Sequence, residues 1–181
     1  MAIIEIDSGG SPPAVECPGV LLCNPKFSAN VTKIYRLAAC FGFSQVWHTG
    51  DRIGPDMGRG RRTRLPPEER MRGHGKVDLI RCEAALDVLA ASGARLVGVE
   101  FAHSTQSLLD LEHDASSGTV YVFGPEDDRL RPEQLGRCQT VVQIPSFHCL
   151  NLATAVATVM WDRTYKLWRD HGVEPPSPVD V

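Results

Sequence analysis

The chain alternates between short apolar runs and longer stretches in which apolar residues recur every three or four positions. The short runs stop at Gly, Pro or Asn, which is typical of buried strands. They cover residues 18–23, 44–49, 95–102, 119–123 and 140–144. The helical spacing covers residues 28–41, 77–91, 132–137 and about 149–170, with a single turn at 107–111. Strands that alternate with helices predict an α/β fold with a mostly parallel sheet.

The length of the chain and its distribution of Gly, Pro and Ser predict one domain with loose ends. A length of 181 residues suits a single domain. Residues 1–16 are polar and rich in Ser, Gly and Pro, so we expect a flexible N-terminal arm. Residues 17–172 form the predicted domain, with a long loop at about 50–76, and residues 173–181 form a C-terminal tail.

Two of the predicted strands end in loops that expose the backbone. The run 119–123 stops at Gly124-Pro125-Glu126, and the run 140–144 stops at Pro145. A helix then opens near Leu150-Asn151. Because ligands of α/β proteins bind just outside the carboxyl ends of the strands, these loops are a candidate binding site.

Charge and cysteine content narrow the class of protein. The net charge of −3 argues against a chain that is basic throughout. The six cysteines include no C-x-x-C pair and no zinc-like spacing, so we expect no metal. No apolar stretch approaches the roughly 20 residues of a membrane-spanning helix. With Glu5 and Asp7 in place of an apolar leader, we expect a cytoplasmic protein with free thiols and no membrane contact.

Arginine is concentrated in the predicted loop. Between Arg59 and Arg72 there are six arginines and two glutamates, a local charge of +4 in a chain of net charge −3. Clustered arginine in a loop with Gly and Pro suits contacts with phosphates, which predicts nucleic-acid binding by Arg59, Arg61, Arg62 and Arg64. A solvated loop with incidental charge is the alternative interpretation.

Three segments, taken in order, resemble the SPOUT superfamily of methyltransferases in its TrmH/SpoU branch. They are Asn30 with Arg36 six residues later, Phe123-Gly124-Pro125-Glu126 with Leu130, and Ile144-Pro145 with Leu150-Asn151. The resemblance implies a Rossmann-like sheet with a C-terminal deep trefoil knot at about residues 118–163. It also implies S-adenosylmethionine as cofactor, a homodimer, and methylation of a ribose 2′-hydroxyl in tRNA or rRNA.

The resemblance also assigns site residues. The catalytic set would be Arg36, Asn30, Glu126 and Asn151, and the cofactor-binding set would be Ala102, Gly124, Ile144, Ser146, Cys149 and Leu150. Arg36 would act on the ribose hydroxyl, but a guanidinium rarely gives up its proton. We therefore expect it to bind the adjacent phosphate and to stabilise the developing alkoxide. Asn30 would brace the first helix, and Glu126 would orient Arg36 or the RNA.

Two positions depart from the family pattern. Cys149 replaces the usual Ser before the Leu-Asn pair, and Asp127-Asp128-Arg129 stands where relatives often carry Gly. Two alternatives stay open, of which these departures favour the first. The first is a non-catalytic RNA-binding protein that retains the fold, and the second is an enzyme of this fold that methylates a base or a small molecule.

The remaining aromatic and histidine residues receive less specific interpretations. We expect the aromatic residues of the last helix, Trp161, Tyr165 and Trp168, to pack in a dimer interface or in the core rather than to stack on bases. The histidines do not fall at metal-ligand spacing and are interpreted as ordinary loop or strand-end residues: His48, His103, His113 and His148.

Overall fold

The computed structural model describes residues 3–6, 13–54, 77–102, 104–115 and 118–175. Eight strands in these ranges form one sheet, and each pair of hydrogen-bonded neighbours is parallel. The strands are β1 (Ile3–Ile6), β2 (Gly19–Leu22), β3 (Gln45–His48), β4 (Asp78–Cys82), β5 (Arg95–Val99), β6 (Gln106–Ser107), β7 (Thr119–Phe123) and β8 (Thr140–Gln143). Their order across the sheet is β1-β4-β3-β2-β7-β5-β8-β6. The predicted α/β fold with a parallel sheet is confirmed, while the knot stays a prediction.

The sheet has an apolar core on each face. Along β2, Val20 and Leu22 enter one core, while Leu21 enters the other. The first core is covered by helices α1 (Ser28–Cys40) and α4 (Leu152–His171), and the second by α2 (Ala85–Ala91) and α3 (Pro132–Leu135). Because both faces are buried, the central strands are continuous apolar runs rather than alternating ones.

The helix predicted for residues 77–91 is wrong in its first half. Strand β4 occupies Asp78–Cys82, and the helix there is confined to Ala85–Ala91. Leu79 packs into the first core and Ile80 into the second, because β4 lies between β1 and β3. A strand buried on both faces carries adjacent apolar residues, and these do not distinguish it from a helix by periodicity.

Two further strands were missed. Ile3–Ile6 of the expected N-terminal arm forms β1 and pairs in parallel with β4 at one edge of the sheet. At the other edge, β6 spans only Gln106–Ser107 and precedes the expected single turn, which is a 3-10 turn at Leu108–Asp110. Both are short edge strands, for which the hydrophobic pattern is weak.

The last helix has clear signals at both ends. Asn151 is its N-cap, and its side-chain oxygen accepts hydrogen bonds from the backbone N–H groups of Ala153 and Thr154. Gly172 ends the helix in the left-handed conformation, with φ of 65°. An N-cap Asn and a C-terminal Gly are what the sequence rules favour, and the predicted helix is confirmed.

A buried polar cluster fixes α4 to the rest of the domain. His113 Nδ1 lies 2.6 Å from the hydroxyl of Tyr121, and its Nε2 lies 2.8 Å from Oδ2 of Asp162. Lys166 pairs with Asp162 at 3.0 Å and donates hydrogen bonds to the carbonyl oxygens of Leu108 and Leu111. His113 is therefore buried and hydrogen-bonded on both ring nitrogens, whereas we had expected an ordinary loop residue.

Candidate functional site

A cavity of about 700 Å³ lies at the carboxyl ends of β5, β7 and β8. These three strands are adjacent in the sheet, so the loops that follow them meet at one edge. The cavity is lined by all six residues predicted to bind the cofactor, namely Ala102, Gly124, Ile144, Ser146, Cys149 and Leu150. The structure thus brings this set together, although its role in binding a cofactor stays a prediction.

Gly124 lets the loop after β7 fold back closely against the strand end. A Cβ atom at this position would lie 3.0 Å from the backbone nitrogen of Leu130 and 3.3 Å from the carbonyl carbon of Arg129. Leu130 is buried in the second core, which anchors the far end of the loop. The segment 124–130, which includes the Asp127-Asp128-Arg129 departure, is therefore a compact wall.

The loop after β8 makes a second wall. The hydroxyl of Ser146 lies 2.8 Å from the carbonyl oxygen of His148 and 3.2 Å from that of Ile144, so it bonds within a tight turn. This turn places Ile144 and Leu150 along the cavity as apolar surface. The thiol-bearing residue Cys149 also lines the cavity and is exposed.

Glu126 caps the first helix from a distant loop. The N-cap of α1 is Phe27, which offers no side-chain hydrogen bond to the helix. The carboxylate of Glu126 instead accepts hydrogen bonds from the backbone N–H groups of Lys26, at 2.6 Å, and Phe27, at 3.3 Å, and from Nδ2 of Asn30, at 2.8 Å. An anion at a helix N-terminus also interacts favourably with the helix dipole.

These bonds set the charge state of Glu126. Partial burial by itself raises the pKa of this carboxyl group, but the hydrogen bonds from Lys26, Asn30 and Phe27 outweigh that effect. The pKa of Glu126 therefore lies below its ordinary value of 4.5. At neutral pH the group is an anion whose acceptor positions are largely in use.

Asn30 and Asn151 extend this network to the last helix. Asn30 is 5% exposed, and its Oδ1 accepts a hydrogen bond of 3.2 Å from Nδ2 of Asn151. Asn151 also caps α4 through its Oδ1. Three predicted catalytic residues, from three separate parts of the chain, are thus connected, and Glu126 and Asn151 line the cavity.

Arg36 lies apart from this network. It is an exposed residue of α1, is absent from the cavity lining, and is not among the described groups that bond to Glu126. The expectation that Glu126 orients Arg36 therefore finds no support in the described residues. The other predicted arginines, Arg59, Arg61, Arg62 and Arg64, lie outside the described residues, as does His103.

The altered loop after Glu126 is held by cations at the cavity rim. Asp127 lies 2.9 Å from Nη2 of Arg52 and 3.1 Å from Nζ of Lys26. Hydrogen bonds from Arg52 and then from Lys26 keep the pKa of Asp127 below its ordinary value. Two cations thus contact Asp127 at the cavity rim. From the sequence, Asp127 was identified only as part of a departure from the family pattern.

The loop after β5 supplies cavity residues that the sequence analysis missed. Val99, Glu100 and Phe101 line the cavity beside Ala102, and Phe27 lines it from the start of α1. A signal was present, because the run 95–102 is an apolar strand interrupted by an acidic residue near its end.

Among the described residues, no group of three or more His, Cys, Asp or Glu side chains could hold a metal ion. Within the same ranges, no helix combines the length and hydropathy needed to cross a membrane.

Three known proteins show how this chain compares in sequence and in fold. A tRNA (cytidine-2′-O-)-methyltransferase TrmJ from Methanocaldococcus jannaschii is 30% identical over 154 residues, which is 79% of this chain and 65% of that protein. The SpoU methyltransferase AviRb from Streptomyces viridochromogenes, solved with AdoMet, superposes with a TM-score of 0.62 at 21% identity. That match covers 80% of this chain and 58% of AviRb.

A third structure, which concerns 2-OH methylation of C/U34 on tRNA, superposes with a TM-score of 0.63 at 24% identity. The match covers 82% of this chain and 95% of the chain in that structure. The chain spans just under two thirds of the TrmJ relative. The model of the SpoU rRNA Methylase family matches residues 19–161, which include every motif discussed above. On this match, together with its parallel sheet and its strand-end cavity, the chain belongs to the SpoU rRNA Methylase family.

Proposed function

We propose that this protein is an S-adenosylmethionine-dependent methyltransferase that acts on a ribose 2′-hydroxyl of RNA. The observation that carries the proposal is the convergence of three strand-end loops of a SpoU-family chain on one cavity. Support also comes from the relatives, since TrmJ is a 2′-O-methyltransferase of tRNA cytidine and AviRb was solved with AdoMet.

The cavity suits the cofactor in size and in chemistry. Its volume of about 700 Å³ lies within the range usual for sites of small ligands. Ile144 and Leu150 offer apolar walls to an adenine ring, and the loop that packs closely against Gly124 forms a further wall. When bound, S-adenosylmethionine would supply a methyl group on a sulfonium sulfur, and the cavity lining carries four acidic residues, Glu100, Glu126, Asp127 and Asp128, beside Arg129.

Glu126 acts in this proposal as a positioning residue. Its carboxylate is engaged by three N–H donors at the start of α1, and its pKa is lowered. Such a group is a weak base and is poorly suited to take the proton of a ribose hydroxyl. Through Asn30 and Asn151 it instead fixes the start of α1 against the start of α4, next to the cavity.

Arg36 contacts the RNA in this proposal. It follows Asn30 by six residues on α1, or about 9 Å along the helix axis. Its side chain is exposed, and a guanidinium can pair with a phosphate and stabilise an alkoxide but is not a base. Outside the described residues, the arginines near Arg61 are the proposed source of further phosphate contacts.

The proposed substrate is tRNA, and the proposed assembly is a homodimer. The tRNA assignment is supported by the name of the TrmJ relative and by the subject of the C/U34 structure, both of which refer to methylation of tRNA.

The dimer is supported by α4, on which Trp161 is 61% exposed and Trp168 is 53% exposed. Because these rings are exposed, the alternative that they pack in the core of the chain is wrong. We propose the cytoplasm as the site of action.

Of the two rival functions, one is favoured by a specific departure from the family pattern. A non-catalytic RNA-binding protein is favoured by Cys149, since a thiol is a weaker hydrogen-bond donor than the usual hydroxyl. An enzyme for a base or a small molecule would also use this cavity. The compact wall at Gly124 and the Asn30–Glu126–Asn151 network favour an intact site over a degenerate one.

One experiment separates these functions. The protein is incubated with methyl-labelled S-adenosylmethionine and, in parallel, with total tRNA, rRNA or small-molecule extract, and the modified nucleotide is mapped by mass spectrometry. We expect label in tRNA as a ribose 2′-O-methyl group. Label on a base would refute the ribose assignment, and binding of RNA without any transfer would favour the non-catalytic alternative.

A further inference from the structure

Glu100 connects two walls of the cavity. It follows β5 directly, and its backbone N–H donates to the carbonyl oxygen of Val142 in β8. One carboxylate oxygen accepts hydrogen bonds from the backbone N–H groups of Phe101, at 2.8 Å, and Ala102, at 3.3 Å. The other accepts from the backbone N–H of Leu130, at 3.0 Å. The side chain therefore joins the loop after β5 to the loop after β7.

The place of this bond links Glu100 to the compact wall at Gly124. The nitrogen of Leu130 that donates to Glu100 is the atom that a Cβ at Gly124 would meet at 3.0 Å. Three backbone donors thus hold the carboxylate in one orientation at the edge of the cavity that it lines. A group oriented in this way needs no rearrangement to bind a ligand.

The hydrogen bonds of Glu100 leave it with spare capacity. An ionised carboxylate offers about four acceptor positions, and the backbone donors use three of them. The remaining position suits a neutral hydroxyl donor. In α/β dinucleotide-binding proteins, an acidic residue commonly accepts a hydrogen bond from a ribose hydroxyl, which shows that this pairing is chemically favourable.

We propose that Glu100 binds a ribose hydroxyl of the methyl donor and is the residue by which the cavity recognises the sugar. The inference rests on the proposed function, because it takes S-adenosylmethionine as the ligand. The apolar walls at Ile144 and Leu150 belong to the loop after β8, so the adenine and the sugar meet different loops. Glu100 also positions the wall at Leu130, and the test must separate these two roles.

The test compares ligands as well as variants. Binding of S-adenosylhomocysteine and of its 2′-deoxy and 3′-deoxy analogues is measured by calorimetry for the unaltered protein, Glu100→Gln and Glu100→Ala. For the unaltered protein we expect one deoxy analogue to bind about tenfold or more weakly, as loss of a hydrogen bond to a charged group implies. Glu100→Ala should bind S-adenosylhomocysteine as weakly as the unaltered protein binds that analogue, or more weakly, and should no longer distinguish the two ligands. Glu100→Gln, which keeps one acceptor oxygen but loses the charge, should distinguish them less strongly than the unaltered protein does.

A purely structural role gives a different result. If Glu100 only braced Leu130, the variants would weaken all three ligands by the same factor and the preference for the hydroxyl would persist, which would overturn the inference. Glu133→Gln, at an exposed position of α3, is the matched control and should change nothing. Should the Ala variant fail to fold, Glu100→Gln and the analogue series on the unaltered protein still decide.

Failure of the inference is distinguishable from failure of the proposed function. If the unaltered protein binds S-adenosylhomocysteine and both deoxy analogues equally well, the cavity is a donor site but Glu100 does not recognise the sugar. If the unaltered protein binds none of the three ligands, the proposed cofactor itself is wrong, and the inference falls with it.

Discussion

The side-chain amide of Asn151 donates a hydrogen bond of 3.2 Å to Oδ1 of Asn30, a residue 121 positions earlier in the chain. Asn30 in turn donates through its Nδ2 to Glu126, so the direction of both amides is set by their partners. Asn151 is the N-cap of α4, and Glu126 caps α1. One short relay of side chains therefore aligns the starts of the two helices that cover the first core.

The relay predicts energetic coupling between its two amides. Asn30→Ala and Asn151→Ala should each lower the free energy of unfolding by about 1–3 kcal/mol, because each leaves a polar partner without its bond. The double variant should lose less than the sum, by roughly 0.5 kcal/mol or more. Urea unfolding of the four proteins measures this coupling. Thr32→Ala, at an exposed position of α1, is the control, and strict additivity would contradict the relay.

Glu126 predicts a loss of stability in acid. Because its pKa in the folded protein lies below the ordinary value of 4.5, the unfolded chain takes up the proton more readily. The stabilisation is complete well above pH 4.5 and is lost as the pH falls through the lowered folded-state pKa. Thermal unfolding between pH 7 and pH 3 should show a loss that is smaller in Glu126→Gln. Parallel profiles for the two proteins would refute the assignment.

The position of Arg36 outside the cavity predicts that replacing it lowers turnover but leaves the affinity for the methyl donor unchanged. Arg36→Ala should lose methyl transfer by about a hundredfold or more, as expected when a charge that stabilises the transition state is removed. Its affinity for S-adenosylhomocysteine should stay unchanged, because Arg36 does not line the cavity. Lys33→Ala, an exposed residue of the same helix, is the matched control. Full activity in Arg36→Ala would eliminate its catalytic role.

The close packing around Gly124 predicts that no larger residue fits at this position without moving the cavity wall. In Gly124→Ala the added methyl carbon would lie 3.0 Å from a backbone nitrogen, so the segment from Arg129 to Leu130 must shift. We expect donor affinity to fall about tenfold or more, since a small displacement of a positioned wall is costly. Gly54→Ala, where the new atom meets nothing within 4 Å, should bind normally. Calorimetry with S-adenosylhomocysteine distinguishes the two.

The exposed aromatic face of α4 predicts the proposed dimer. Trp161 packs edge-on to Phe41 of the segment after α1, with ring centroids 6.4 Å apart, while most of its surface stays exposed. Replacing Trp161 and Trp168 with Glu should convert a dimer to a monomer, since buried aromatics dominate interface energies. Sedimentation velocity measures the change. A monomeric unaltered protein, or a dimer that persists in the variant, would contradict the proposal.

Much of the site was predictable because its loops follow strands with strong apolar patterns. The runs ending at Phe123 and near Gln143 each bury both faces, and Gly and Pro mark where they stop. Parallel strands place such stops at one edge, and Ala102, Gly124 and Leu150 do line a single cavity. The family motifs then added Asn30 and Glu126, whose contact joins residues far apart in the chain.

The sequence by itself determined the parallel α/β class, the two Pro-containing loops and the last helix, since these depend on local apolar periodicity and on caps. Only the tertiary structure decided that residues 78–82 form a strand, that Glu126 caps α1 rather than holding Arg36, and that Glu100 joins two cavity walls. The physical reason is that these features depend on partners brought close by the fold. A carboxylate in a sequence does not reveal which distant N–H groups it will meet.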